Sequence, residues 1–183
     1  MTQRDRVDVL WCSNRRQGPR GNGWAFPAGV RRKILEIAEA SSVLHLFGGL
    51  ASFGIRQDLD GSTRPHVIAD AWLPPFAANS FDVVVLDPPY VHFNQQAKDS
   101  LFRAAAYIAR DRVIWFHTVW MSGGASLQFR RGWLVRVGDS CQVRALQEFV
   151  PRPGAKTRPD PYFSRGPAMR YNRWLTGQNP LPL

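Results

Sequence analysis

Asp87-Pro88-Pro89-Tyr90 closes an apolar run, Phe81 to Leu86, and sets an acid, a carbonyl with no neighbouring N–H and an aromatic ring side by side. An amine on an aromatic ring is a poor nucleophile, because its lone pair is conjugated with that ring. Two acceptors holding its two N–H bonds, the Asp87 carboxylate and the Pro88 carbonyl, draw the nitrogen toward tetrahedral geometry and free the lone pair. Tyr90 can stack on the ring and fix it in line with an electrophile, which is mostly positioning catalysis. The chemistry these four residues suit is transfer of a methyl group to an exocyclic amine. A strand ended by prolines and capped by an acid is the plain structural alternative, and only the surrounding elements choose between them.

Those elements have to present the tetrapeptide at an edge. Val83-Val84-Val85-Leu86 is apolar on both faces, as a buried parallel strand requires. Pro88 and Pro89 end it abruptly, at the carboxyl edge where open α/β sheets bind ligands. Upstream, Ser42 to Gly49 reads as a first buried strand running into Gly48-Gly49, Gly54 to Asp60 as a second, and Pro65 to Trp72 as a third. Strands ending in Gly-Gly, Asp58 and Asp70 meet the needs of a nucleoside cofactor. Glycines admit backbone close to a ligand, and an acid after the second strand can hold ribose hydroxyls, Asp58 first and Asp60 as the fallback. Asp70 can take an adenine amine, with Ala71 and Trp72 beside the ring. Trp24-Ala25-Phe26-Pro27 leads into an amphipathic helix, Ala28 to Ala40, with Val30, Ile34, Leu35 and Ile37 on one side.

The series resembles motifs I to IV of class I S-adenosylmethionine-dependent methyltransferases, in that order, over residues 42 to 93. The tetrapeptide is similar to the (D/N/S)PPY motif of amino-methyltransferases, in the Asp form of the DNA adenine-N6 branch. Phe26-Pro27 resembles the family's motif X, which closes one side of the cofactor pocket. The resemblance implies S-adenosylmethionine as cofactor, held by Phe26, Pro27, His45, Phe47, Gly48, Gly49, Asp58, Asp60, Asp70, Ala71, Trp72 and Asp87. It implies Asp87, Pro88, Pro89 and Tyr90 as catalytic residues, with His92 and Phe93 lining the target pocket. His45 stands where the family carries an acid, the loop has fewer glycines than usual, and only about ten residues separate Phe47 from Asp58. A crossover helix does not fit in that space. A helix over Ala97 to Ala109, a strand over Arg112 to Val119 and a hairpin of Trp133–Val137 with Val143–Val150 complete the expectation. It is an α/β, Rossmann-like, seven-stranded and mostly parallel sheet with an antiparallel C-terminal hairpin and a shortened first crossover. The expected catalytic domain is 24–150, between a basic N-terminal segment, 1–23, and a Pro/Arg-rich tail, 151–183, packed on the domain.

Charge points to the partner. The 183 residues carry 24 Lys+Arg against 14 Asp+Glu, a formal +10, and the segregation matters more than the sum. Residues 1–33 hold 8 basic and 2 acidic side chains, residues 34–129 hold 6 and 9, and residues 130–183 hold 10 and 3. Basic, arginine-rich flanks around a mildly acidic core suit a polyanion, and arginine suits bidentate phosphate contact. Arg152, Lys156 and Arg158 in the tail are the candidate phosphate contacts. Cys12 and Cys141 exclude a disulfide framework, a Cys-based zinc cluster and an evident thiolate route to cytosine C5, and the four histidines have no metal-like spacing. No apolar run approaches the ~20 residues of a membrane span, so a cytoplasmic protein without membrane contact is expected.

The expectation is therefore an adenine-specific N-methyltransferase acting on nucleic acid, DNA ahead of RNA. RNA adenine-N6 or guanine-N2 methylation is the nearest alternative. A non-catalytic nucleic-acid-binding protein with a degenerate methyltransferase fold is the alternative of another class. The chain has no room for a separate target-recognition domain, so recognition falls to its basic segments, a homodimer or a partner subunit.

Overall fold

The computed structural model describes residues 6–12, 26–39, 41–88, 95–118, 120–137 and 143–155. Pro89, Tyr90, His92, Phe93, Lys156 and Arg158 lie outside them, as do residues 13–25 of the basic N-terminal side, residues 138–142 and most of the tail.

The strands are β1 (Arg6–Cys12), β2 (Val43–Leu46), β3 (Ile55–Asp58), β4 (Val67–Ile68), β5 (Phe81–Leu86), β6 (Ala109–His117), β7 (Leu127–Val137) and β8 (Val143–Pro151), with helices α1 (Ala28–Ala38) and α2 (Gln95–Ile108). They form one sheet in the order β1-β7-β8-β6-β5-β2-β3-β4. All neighbours are parallel except β8, which runs antiparallel to both β6 and β7. The seven strands β2 to β8 match the expected sheet and hairpin. The eighth, β1, adds to the free edge of β7, where Val9, Trp11 and their neighbours continue the ladder in register.

Alternation along the central strands builds two cores. Leu44, Leu46, Val84, Leu86, Val113 and Trp115 face α2 and pack on Leu101, Phe102, Ala105 and Ile108. Val43, Val83, Val85, Ile114 and Phe116 face α1 and pack on Val30, Ile34 and Ile37. Leu35, expected on that stripe, is exposed instead, because it lies a hundred degrees round the helix from Ile34. α1 stops at Ala38, two residues early, since Glu39 takes the left-handed conformation and donates its N–H to the Leu35 carbonyl. Arg112 from β6 caps the same helix end on the Ile37 carbonyl. Arg112, Arg130 and Arg131 surround the fully buried Glu148 carboxylate of β8.

The first crossover carries no helix, as its length requires. Residues 47–54 turn on Phe47 and Gly49, both at positive φ, and the loop is held by hydrogen bonds as well as by the packing of Phe47, Ala51 and Phe53 on the two cores. The Arg56 guanidinium of β3 donates to the carbonyls of Gly49 at 2.7 Å, Thr63 at 3.1 Å and Arg64 at 2.7 Å. One side chain thus joins the β2–β3 loop to the β3–β4 loop. The third strand is only two residues long, and the N–H groups of His66 and Ala69 on either side of it bond to the Arg56 and Asp58 carbonyls of β3.

Candidate active site

The carboxyl edge of β2, β3 and β5 gathers the expected residues. Gly48 approaches β3 so closely that a β-carbon there would stand 2.7 Å from the Arg56 Cβ, which explains glycine at that position. Gly49 donates its N–H to Asp58 Oδ2 at 2.8 Å, and the Asp60 N–H reaches Asp58 Oδ1 at 3.0 Å. A carboxylate offers about four lone-pair sites, so among the described residues each Asp58 oxygen keeps one acceptor position open. Asp60 caps the short 3-10 turn at Gly61–Thr63 through Ser62. Its carboxylate is thereby directed into the turn, and Asp58 is the acid at the strand end.

Asp70 accepts from the Trp72 N–H at 2.9 Å. Burial raises its carboxyl above the usual range, and that hydrogen bond opposes the rise. Ala71 and Trp72, expected beside a bound ring, are buried instead. The Trp72 indole meets Phe47 edge-on at 5.4 Å and donates its N–H to the Ala97 carbonyl at 2.9 Å, so it locks the loop onto α2 as a core residue. The polar N–H found its acceptor inside the protein, which an apolar-looking Ala-Trp pair does not reveal.

Phe26 stands at the amino end of α1, which the chain direction brings to the carboxyl edge. Its ring lies 5.7 Å from His45, 5.9 Å from Phe116 and 6.4 Å from Phe53. Pro27 opens the helix beside it, its carbonyl accepting from Arg31. His45 is 1% exposed and meets Phe53 edge-on at 4.6 Å. Desolvation holds its imidazole at about 4, so it is neutral at physiological pH, and among the described residues its Nε2 meets no hydrogen-bond partner.

Asp87 follows β5 on the face of Val83 and Val85, the α1 side. Water reaches only part of it, Pro88 beside it is buried, and desolvation pushes its carboxyl up to about 7 against the opposing charge of Arg144. Arg144 itself lies over the Phe116 ring at 5.6 Å. Sequence reasoning missed Arg144 and Phe116. No local pattern marks them, because β8 arrives by antiparallel pairing from 57 positions downstream of Asp87.

The same antiparallel run separates Arg152 from the site. It leaves β8 at the opposite edge, bonded to the Ser126 and Leu127 carbonyls. Eight residues of strand put it roughly 26 Å from Arg144. Strand direction thus places Arg152, a candidate phosphate contact, at the opposite edge of the sheet from Asp87.

Three solved structures share this architecture. The N-methyltransferase NodS of Bradyrhizobium japonicum WM9 superposes with TM-score 0.54 at 9% identity, over 67% of this chain and 94% of that one. The 1,6-didemethyltoxoflavin-N1-methyltransferase of Burkholderia thailandensis, holding its substrate and S-adenosylhomocysteine, gives 0.51 at 10% identity, over 68% and 79%. Magnesium protoporphyrin IX methyltransferase of Synechocystis PCC 6803, with S-adenosylmethionine bound, gives 0.50 at 10%, over 67% and 78%. No family model matches the chain, and no curated protein does. The fold is that of the class I methyltransferases. Among the described residues no helix is long and apolar enough to cross a membrane.

Proposed function

We propose that the chain is an S-adenosylmethionine-dependent N-methyltransferase acting on an exocyclic amine of a nucleic-acid base, adenine N6 in DNA first, with RNA adenine-N6 and guanine-N2 as its nearest alternatives. The observation that carries this reading is Asp87: a desolvated carboxyl at about 7, one residue past the central strand of a methyltransferase sheet. An acid tuned near neutral pH can accept an amine N–H as a carboxylate and then take the proton the methylated amine must lose. Pro88 supplies the second acceptor, and Tyr90 the ring that stacks on the base.

The residues present fit the cofactor. Among the described residues Asp58 keeps an open acceptor on each oxygen for ribose hydroxyls and His45 Nε2 is unpaired, its ring set against Phe26 and Phe53, while Gly48 and Gly49 bring backbone without side chains to the edge. The cofactor, when bound, supplies an electrophilic methyl group. The charge of the chain supports a nucleic-acid substrate.

The second reading, a degenerate fold that binds nucleic acid without catalysis, draws on the helix-free first crossover and on neutral His45 where the family has an acid. Isothermal titration with S-adenosylmethionine, followed by labelled-methyl incorporation into DNA and RNA strands, separates the two. Binding near one to one and transfer lost in Asp87→Ala, with cofactor affinity retained, is expected. A folded chain that ignores millimolar cofactor would leave the degenerate reading.

A further inference from the structure

The α2-side core covers β5, β6 and the amino-edge half of β7 and β8, through Leu127, Phe129 and Phe149. On that same side the carboxyl-edge half of β1, β7 and β8 exposes Val9, Trp11, Leu134, Arg136 and Val143, while Gly132 and Ala145 between them are buried. Val9 pairs with Leu134, Trp11 with Arg136 and Arg136 with Val143, so these residues share one face. Trp11 is 65% exposed, Val9 58% and Val143 50%. The Arg136 guanidinium lies 5.0 Å from the centre of the Trp11 ring. A second exposed tryptophan, Trp120, lies over Gly132 of β7, where a β-carbon would stand 2.5 Å from its ring. Strand spacings put the two tryptophans roughly 14 Å apart.

No acid stands at any position of this face: 9, 11, 132, 134, 136, 143 and 145 are Val, Trp, Gly, Leu, Arg, Val and Ala. Because β1 and β7 run parallel to β5, Trp11 and Arg136 sit at the same edge as Asp87, Trp11 four strands away, or about 19 Å, and Arg136 three, or about 14 Å.

We infer that this face is a stacking platform for single-stranded nucleic acid, one that holds the strand flanking the target base; the inference rests on the nucleic-acid reading above. Flat exposed rings stack on any unpaired base, arginine adds phosphate contact, and the two together bind strands without reading sequence. Duplex bases already stack on one another and offer these rings nothing. A chain of net charge +10 repels a second copy of itself and attracts a polyanion.

Anisotropy of a labelled single strand of DNA, with the full chain and no cofactor, is the test. Trp11→Ala should weaken binding roughly 5- to 100-fold, Trp11→Phe should restore most of it, and duplex binding should move far less. Arg136→Gln should flatten the salt dependence by about one phosphate contact. Trp11 is exposed, so circular dichroism should show an intact fold. Equal strand affinity in Trp11→Ala and wild type overturns the platform. So does sedimentation showing a dimer that Trp11→Ala dissociates, which assigns the face to a second copy. Cofactor titration reports separately on the enzyme: strand binding lost in Trp11→Ala, with no cofactor bound by any variant, keeps the platform and removes the methyltransferase reading.

Discussion

Replacing Asp87 by Asn should stabilise the protein at pH 8 and leave its stability little changed near pH 4. The Asp87 carboxyl goes from an ordinary 3.8 to about 7 in the folded chain, chiefly by desolvation, with the Arg144 charge opposing. Between those values the folded chain keeps a proton that the unfolded chain has released, so stability falls as pH rises from about 4 to about 7. Each unit is worth about 1.4 kcal/mol, which bounds the loss at about 4 kcal/mol, fully expressed above pH 7. His45 works in the other sense. Its imidazole, held at about 4 against an ordinary 6.5, costs stability as pH falls through the same window. The wild-type curve alone therefore blurs both, and the difference between wild type and Asp87→Asn isolates the carboxyl. Urea unfolding of the pair at half-unit steps from pH 4 to 8 measures it. A gain for the Asn variant that grows by about 2–4 kcal/mol across the window is expected. A difference that stays flat with pH would refute the claim that Asp87 is desolvated, and with it the tuning on which the proposed base role depends. In the active enzyme the same titration should appear as a methyl-transfer rate that rises with pH, is half-maximal near 7 and levels off above it.

Asp58→Ala removes the acceptor of the Gly49 and Asp60 N–H groups, and is expected to cost about 1–3 kcal/mol in thermal unfolding while weakening S-adenosylmethionine binding in titration calorimetry. Unchanged cofactor affinity with the stability loss present would confine Asp58 to holding the loop. Glu148→Gln leaves Arg112, Arg130 and Arg131 crowded without a counter-charge at a site where Glu148 is fully buried. About 3 kcal/mol should be lost in urea unfolding, and a loss below about 1 kcal/mol would mean that solvent already screens the three guanidiniums.

Much of this molecule is written locally. The apolar quartet Val83 to Leu86, the Phe26-Pro27 entry to α1 and the Asp58 strand end are legible because a strand or helix stripe is a property of neighbours in sequence, with periods of 2 and 3.6. The missing crossover helix was legible too, since a ten-residue span cannot hold one. Sequence alone therefore determined the α/β class, the order of the strands along the chain and the acid at the end of the central one. Tertiary structure decided what those residues meet. It buried Trp72 against α2, turned Asp60 into a turn cap, sent Arg152 to the far edge and brought Arg144 from β8 to oppose the desolvation of Asp87. These outcomes depend on strand direction and on contacts between segments far apart in sequence. A short-range pattern cannot encode them, because the charge and the solvent that tune a carboxyl arrive only when the sheet closes.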